Sequence, residues 1–120
     1  MTAKRRKRAH AWGVAAEYLC ALWLLCKGYS ILALRHRSHA GEIDIIATRG
    51  WLLAFIEVKA RVSKTDALES VTVDKRRRIA QAAQAYVATH ARYQQHDLRF
   101  DVMVVTSPWK ISHLKDAWRE

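Results

Sequence analysis

The chain has 120 residues, a length that fits one domain with a single core and excludes two domains. Apolar residues make up 51% of it and charged residues 27%, a globular composition that excludes intrinsic disorder of the whole chain. Lysine and arginine number 21 against 11 aspartate and glutamate residues, so the formal net charge is +10. Such a charge attracts polyanions, with nucleic acid the first partner to consider and an anionic membrane surface the second.

The N-terminal part combines a basic segment with an apolar helix. Residues 1–9 contain a run of basic residues and no acidic one, which predicts a flexible arm that stays mobile until it meets a partner. Residues 10–26 carry apolar residues at helical spacing on nearly every side, which predicts a helix covered by the sheet and, in one alternative, by a second subunit. Gly28 follows at the place of a left-handed C-terminal cap.

Stable membrane insertion is not expected. The longest apolar run, residues 18–26, is far shorter than the roughly 20 residues that cross a bilayer. No small-residue cleavage site follows it, so we expect a mature, cytoplasmic protein. Cys20 and Cys26 are too few for a disulfide scaffold and are predicted to be reduced core residues.

Three strands are predicted after the helix, over residues 30–35, 42–48 and 52–61. The turn between the second and the third is so short that these two strands should pair as an antiparallel hairpin. Residues 62–73 are polar and without clear periodicity, which predicts a mobile loop.

A second helix is predicted over residues 75–90, with Asp74 as its N-terminal cap. Residues 99–106 are predicted to form a fourth strand, and residues 111–118 fit either a short strand or a terminal helix. The order of elements is therefore α-β-β-β-α-β with a short terminal element, an α/β fold in which residues 10–120 form one domain.

Three charged residues are expected to meet on one face of the hairpin. Residues two apart in a strand share a face, so Glu57 lies beside Lys59, and the pairing brings Asp44 next to them. Two carboxylates in a partly desolvated cleft repel each other unless a cation lies between them. Mg²⁺, with Mn²⁺ as a substitute, suits Asp44, Glu57 and the backbone carbonyl of Val58. The alternative is a cross-strand salt bridge on the solvated side of the hairpin.

Phosphodiester hydrolysis is the reaction that uses all of these groups on a basic protein. The metal would bind a scissile phosphate oxygen and acidify a water, while Lys59 would orient that water or offset developing charge. Glu17 is a lone charge in the apolar helix, and its alternative is a partly buried carboxylate paired with a nearby arginine. Glu42 shares a face with Asp44 and is an accessory candidate.

A family resemblance follows from the order of four segments: Glu17, Gly41-Glu42-Ile43-Asp44, Ile56-Glu57-Val58-Lys59 and Arg99-Phe100-Asp101. They resemble the YraN family of bacterial proteins, within the PD-(D/E)XK nuclease superfamily, over residues 10–118. The resemblance implies a restriction endonuclease-like fold, a central mixed β-sheet flanked by helices, with Asp44, Glu57 and Lys59 as catalytic residues. Glu17 matches the first-helix acid that completes the site in archaeal Holliday-junction resolvases, which act as dimers. Asp101 is assigned only a structural role, such as pairing with a nearby arginine.

Basic residues outside this cluster are predicted to contact nucleic acid. Cations at a helix N-terminus oppose the helix dipole, so the run at residues 75–78 favours a bound phosphate over a merely solvated face. The arm would follow a phosphate backbone without sequence preference. Most of the tryptophans are predicted to be core or interface residues, and stacking of Trp51 on an unpaired base is the weaker alternative. The predicted set is Lys4, Arg5, Arg6, Lys7, Arg8, Arg37, Arg61, Lys75, Arg76, Arg77 and Arg78.

These features predict a cytoplasmic, Mg²⁺-dependent, structure-selective endonuclease that acts on DNA with branches or single-stranded regions, as a homodimer if two strands are cut. The alternative is a nucleic-acid-binding module with a vestigial site, whose affinity would follow salt and not Mg²⁺. A third interpretation is a peripheral membrane protein that uses the arm and the first helix and binds anionic vesicles.

Overall fold

The computed structural model of the chain describes residues 2–61, 63–106 and 110–119. Over these residues the helices are α1 (Ala3–Cys26), α2 (Lys64–Ser70) and α3 (Val73–Thr89), and a short 3-10 helix spans Ala91–Tyr93. The strands are β1 (Ser30–Ser38), β2 (Gly41–Arg49), β3 (Leu52–Ala60), β4 (Asp97–Thr106) and β5 (Lys110–Trp118).

The strands form one five-stranded sheet in the order β1-β2-β3-β4-β5. Neighbouring strands are antiparallel except β3 and β4, which are parallel. A parallel pair needs a crossover connection, and here α2 and α3 supply it. The mixed sheet flanked by helices is therefore confirmed.

Both faces of the sheet are buried. On one face Phe55 of β3 packs in a cluster with Ile79 of α3. On the other face Ile56 packs in a cluster with Cys20 and Leu24 of α1. Because successive strand residues point to opposite faces, a strand between two helical layers must be apolar along its whole length. The charged residues near the end of β3 are exceptions to this rule.

Helix α1 begins at Ala3, so the basic residues 4–8 form its first turns. The helix continues through residue 9, where the sequence predicts the end of a mobile arm. Thr2 caps the helix, because its side-chain oxygen accepts a hydrogen bond from the backbone N–H of Arg5 at 3.2 Å. Alanine, lysine and arginine are also strong helix formers. Gly28 follows the helix with φ +88, which confirms the predicted left-handed cap.

The connection between β3 and α3 differs most from the prediction. Residues 64–70 form α2, so the predicted loop is wrong for them; residue 62 lies outside the described residues. Ser63 caps α2 by accepting a hydrogen bond from the N–H of Asp66 at 3.0 Å, and Ala67 is buried. Helix α3 begins at Val73 and its cap is Thr72, so Asp74 lies in the first turn and is not the cap.

The last described residues form a strand and not a helix. Strand β5 pairs antiparallel with β4 along most of its length. Trp118 is buried at the end of this strand, and its ring stacks on Phe100 with the centroids 5.4 Å apart. Whether these residues form a strand or a helix depends on the free edge of β4, which the local sequence does not reveal.

Helix α1 packs on the sheet through Ala16, Cys20 and Leu24. By length and composition alone it could cross a membrane, and about a quarter of its most apolar window is buried in the fold. Both cysteines are free; Cys20 is buried as predicted, but Cys26 is exposed because it ends the outer side of the helix. The helix is thus a core element of a compact fold with an uncovered outer face.

Candidate active site

Strands β2 and β3 part in the middle of the sheet. Their antiparallel pairing ends at Ile45 and Ile56. Beyond this point β2 continues beside β1, and β3 continues beside β4. Asp44 and Glu57 are the first residues of β2 and β3 beyond the last paired residues. A polar cleft therefore opens between two strands that elsewhere lie in the core.

Asp44 and Glu57 line the same cleft, which has a volume of about 610 Å³ and reaches the first turns of α3. The Oδ2 atom of Asp44 accepts a hydrogen bond from the backbone N–H of Val58 at 2.8 Å, where the backbone of β2 no longer pairs with β3. The N–H and C=O groups of one strand residue point to the same side, so the Val58 carbonyl also faces Asp44. Two carboxylates thus line one cleft, and the backbone of Val58 lies beside one of them.

Two lysines hold Glu57, which is only 4% exposed. Its Oε1 atom lies 3.1 Å from Nζ of Lys59 and 2.7 Å from Nζ of Lys75. Lys59 lies beside Glu57, as the strand pattern predicts. Lys75 lies in the first turn of α3, which brings it across the cleft to the carboxylate.

Two groups at or near the cleft have raised pKa values. Burial raises the pKa of Asp44 to about 7, and the charge of Glu57 adds to the rise against the hydrogen bond from Val58. Beneath the cleft, burial raises the pKa of the Cys20 thiol to about 12, and the charges of Asp44 and Glu17 add to it. Burial is the largest cause for both groups, and the charge of Glu17 contributes to both rises.

The pKa values of the two lysines are shifted in opposite directions. Burial lowers the pKa of Lys59, and the neighbouring Lys75 lowers it further against the pull of Glu57. Burial also acts downward on Lys75, but its hydrogen bond to Glu57, the charge of Glu57 and smaller contributions from Lys59 and Asp44 together outweigh burial, and the pKa is raised. Lys59 is the lysine that gives up a proton more readily, and Lys75 is the one that stays charged.

Glu17 lies near the cleft but is bound elsewhere. Its Oε2 atom accepts a hydrogen bond from Nε of Arg35 at 2.6 Å, and its side chain is 15% exposed. This is the arginine-paired alternative for Glu17, although its charge still contributes to the raised pKa of Asp44. Among residues 2–61, 63–106 and 110–119, no group of three His, Cys, Asp or Glu residues is placed to hold a metal ion. Glu17 is thus not a third ligand in this arrangement.

Arg35 has a left-handed backbone, with φ 52, and lies between Leu34 and His36, which pair with the residues on either side of Asp44. Residues other than glycine rarely adopt this conformation, and those that do concentrate at functional sites. The alternation of side chains is also interrupted at Asp44 in β2. Ile43 and Ile45 are two residues apart, yet they belong to different apolar clusters.

The residues predicted to bind nucleic acid differ in their contacts. Arg78 and Glu42 line the cleft, and Arg37 forms an exposed pair with Glu42 at 3.6 Å. Arg76 turns inward, because its Nε donates a hydrogen bond to the Val71 carbonyl at 3.0 Å, and it is therefore a packing residue. The remaining members of the set, Lys4, Arg5, Arg6, Lys7, Arg8, Arg61 and Arg77, are exposed.

Sequence reasoning did not find two contacts of the site. Lys75 was predictable as a cation near phosphate, but not as the partner of Glu57, because the crossover through α2 decides where it lies. Arg35 carries no signal of its own in the sequence. Neither its left-handed backbone nor its ion pair with Glu17 could be predicted from local sequence.

Asp101 has the predicted structural role. It is fully buried and accepts hydrogen bonds from Nε and Nη2 of Arg99, each at 2.8 Å, and from the backbone N–H of Asp116 at 3.0 Å. Nε2 of His113 lies 2.7 Å from Oδ2 of Asp101. Burial acts to raise the pKa of Asp101, but the hydrogen bonds from His113 and Arg99 outweigh burial and lower it. This network fastens β4 to β5.

Known proteins match the sequence of this chain over nearly its whole length. The family model described as "Uncharacterised protein family UPF0102" matches residues 16–105. The chain is 44% identical to the UPF0102 protein of Paramagnetospirillum magneticum over 97% of this chain and 93% of that relative. It is 45% identical to the UPF0102 protein of Rhizobium meliloti, over 95% and 93% of the two chains. For the UPF0102 protein of Mesorhizobium japonicum the identity is 46%, over 94% and 90%.

The matched region contains the second part of α1, strands β2 and β3 and the cleft, so the resemblance to the YraN family is confirmed. The chain belongs to this family, UPF0102.

Proposed function

We propose that the chain is a cytoplasmic, magnesium-dependent endonuclease that hydrolyses phosphodiester bonds in branched or partly single-stranded DNA. The observation that carries the proposal is the placement of Asp44 and Glu57 in one cleft, where burial and the charge of Glu57 raise the pKa of Asp44 to about 7. Two neighbouring carboxylates in one cleft of a protein of net charge +10 suit a divalent cation and, beyond it, a phosphate.

The available ligands fit a hard divalent cation. Asp44, Glu57 and the Val58 carbonyl offer oxygen atoms, and Mg²⁺ commonly takes one or two carboxylates together with waters and substrate phosphates. A bound cation would also relieve the repulsion between the two carboxylates. Its chemical contribution would be to neutralise phosphate charge and to make a water molecule more acidic.

The two lysines have different proposed tasks. Lys59, whose pKa burial lowers, is suited to orient the attacking water and to exchange a proton with it. Lys75 stays charged because of its hydrogen bond to Glu57, and it is suited to hold a phosphate oxygen at the cleft. Arg78 lines the same cleft and adds a second positive charge for the DNA backbone.

Glu17 and Arg35 act on the site from its edge. Glu17 is proposed as the outer acid of the cluster, because its charge contributes to the raised pKa of Asp44. Arg35 is proposed as the positioning residue that holds Glu17. Rotation of Glu17 away from Arg35 would add a third carboxylate to the cleft.

A nucleic-acid-binding module with an inactive site is the second candidate. Lys59 and Lys75 already neutralise Glu57 without a metal ion, which is the observation that favours this candidate. In that case binding to DNA would follow salt concentration and ignore Mg²⁺.

A cleavage assay separates the two candidates. Labelled four-way junction, flap, single-stranded and linear duplex DNA are incubated with the protein in Mg²⁺, Mn²⁺ or EDTA. We expect metal-dependent cleavage that falls by at least about a hundredfold in Asp44→Asn and Lys59→Ala. The matched controls Glu69→Gln and Lys115→Ala change exposed residues outside the cleft and should cleave normally. Tight binding without cleavage of any substrate would replace the nuclease by the binding module.

A further inference from the structure

A second cleft, of about 530 Å³, lies at the end of the sheet opposite the candidate active site. Three connections form it: the turn from α1 to β1, the turn from β2 to β3, and the segment from α3 to β4. Trp51 lies in the second of these turns. About 20 Å of extended strand separates Trp51 from Glu57. The volume is in the range of small-ligand and nucleotide sites.

The indole of Trp51 is 74% exposed, which is unusual for a side chain of this size. Its ring contacts the ring of His96, with the centroids 5.3 Å apart. Gly50 precedes it at φ +61, a left-handed conformation that glycine adopts without strain. The turn therefore presents an aromatic surface beside the cleft. One exposed tryptophan does not make a binding site, so the charges around it decide the question.

Two arginines line the cleft together with Trp51, and both are exposed. The guanidinium of Arg49 lies 4.4 Å from the centre of the Tyr29 ring and donates one hydrogen bond to the Lys27 carbonyl at 3.1 Å. These contacts fix Arg49 while using one of its five N–H donors. Arg92 approaches from the segment after α3. None of the described residues that line this cleft is acidic, so the two charges have no counter-ion in it.

We propose that this cleft binds an unpaired nucleotide, with the base stacked on Trp51 and the flanking phosphates held by Arg49 and Arg92. Stacking on an exposed aromatic ring beside guanidinium groups is the usual recognition of single-stranded nucleic acid. The inference rests on the proposed function in taking nucleic acid as the partner, and it adds a preference for unpaired bases. The separation of about 20 Å corresponds to about six steps of a DNA strand.

Fluorescence anisotropy in EDTA tests this binding without cleavage. Two labelled single strands of equal length are compared, one with bases and one abasic. The unmodified protein should bind the base-containing strand about tenfold more tightly. Trp51→Leu, which keeps the apolar bulk, should lose this preference, and Trp51→Phe should keep most of it. The matched control is Tyr18→Leu, an exposed aromatic residue on α1.

The arginines are tested by the dependence of binding on salt. Arg49→Gln and Arg92→Gln should each lower the slope of log affinity against log salt by about one, for both strands. Arg119→Gln, an exposed arginine outside this cleft, should leave the slope unchanged.

Equal affinity of the unmodified protein for both strands would overturn the proposal, and so would a base preference that persists in Trp51→Leu. The outcome is separable from that of the proposed function. Normal Mg²⁺-dependent cleavage without a base preference overturns only the nucleotide cleft. A Trp51-dependent base preference without any cleavage overturns only the nuclease.

Discussion

The carboxylate of Asp44 accepts a hydrogen bond from the backbone N–H of Val58 at 2.8 Å, at the point where β2 and β3 cease to pair. This contact holds Asp44 beside Glu57, whose charge adds to burial in raising the pKa of Asp44 to about 7. The hydrogen bond stabilises the arrangement, while the neighbouring charge destabilises its ionised form. The proposed function and the stability of the fold therefore place opposite demands on this residue.

Removing the charge of Asp44 should stabilise the protein at alkaline pH. The folded pKa of about 7 exceeds the ordinary aspartate value of 3.8, so this group stabilises the fold fully below about pH 4 and loses that effect as pH rises to about 7. Asp44→Asn keeps an oxygen for the Val58 N–H. Its free energy of unfolding in urea should exceed that of the unmodified protein by about 1–3 kcal/mol at pH 8, with little difference at pH 4. A less stable variant at pH 8 would contradict the proposed repulsion; the exposed Asp97→Asn is the control.

Magnesium binding should strengthen between pH 6 and pH 8, because Asp44 must lose its proton to become a ligand. Isothermal titration calorimetry in two buffers of different ionisation enthalpy should show proton release on binding near pH 6. The release should be absent in Asp44→Asn and unchanged in Glu69→Gln. An affinity that does not vary with pH would show that Asp44 does not contact the metal.

Lys75→Ala should make the protein depend on a divalent cation for stability. The substitution removes the closest cation, at 2.7 Å, from the buried Glu57 carboxylate, while Lys59 remains. We expect a loss of about 1–2 kcal/mol without Mg²⁺, and a larger rise of Tm on adding Mg²⁺ than in the unmodified protein. Lys115→Ala is the matched control. Equal Tm shifts in Lys75→Ala and the unmodified protein would mean that the ion does not compensate for Lys75.

Asp101→Ala should destabilise the fold strongly without involving the cleft. It leaves Arg99 and His113 without their buried acceptor, and the expected loss is about 3–5 kcal/mol in urea unfolding at pH 7. The lowered pKa of Asp101 means that its stabilising effect is present above its unfolded pKa and is lost as pH falls through its folded pKa. The exposed Asp97→Ala, on the same strand, should change stability by less than about 0.5 kcal/mol. A loss of similar size in both variants would refute this role.

Local patterning predicts most elements of this fold, because burial of one face leaves a period of 3.6 or 2 residues along the chain. The long apolar helix and the β2–β3 hairpin follow from such periods. Helix α2 does not, since it buries only Ala67 and is too short to show a period. Strand β5 depends on pairing with β4, and the helical start of α1 depends on the Thr2 cap as well as on propensity.

The sequence by itself determined that one basic domain carries Asp44, Glu57 and Lys59 on neighbouring strands, because charges within apolar strands are costly and therefore conspicuous. Only the tertiary structure decided which cations neutralise the acids: α3 brings Lys75 to Glu57, and β1 brings Arg35 to Glu17. Those ion pairs join distant parts of the chain, and they depend on where two strands part and on one left-handed residue. Local periodicity reports which face of an element is buried, but not which element covers it.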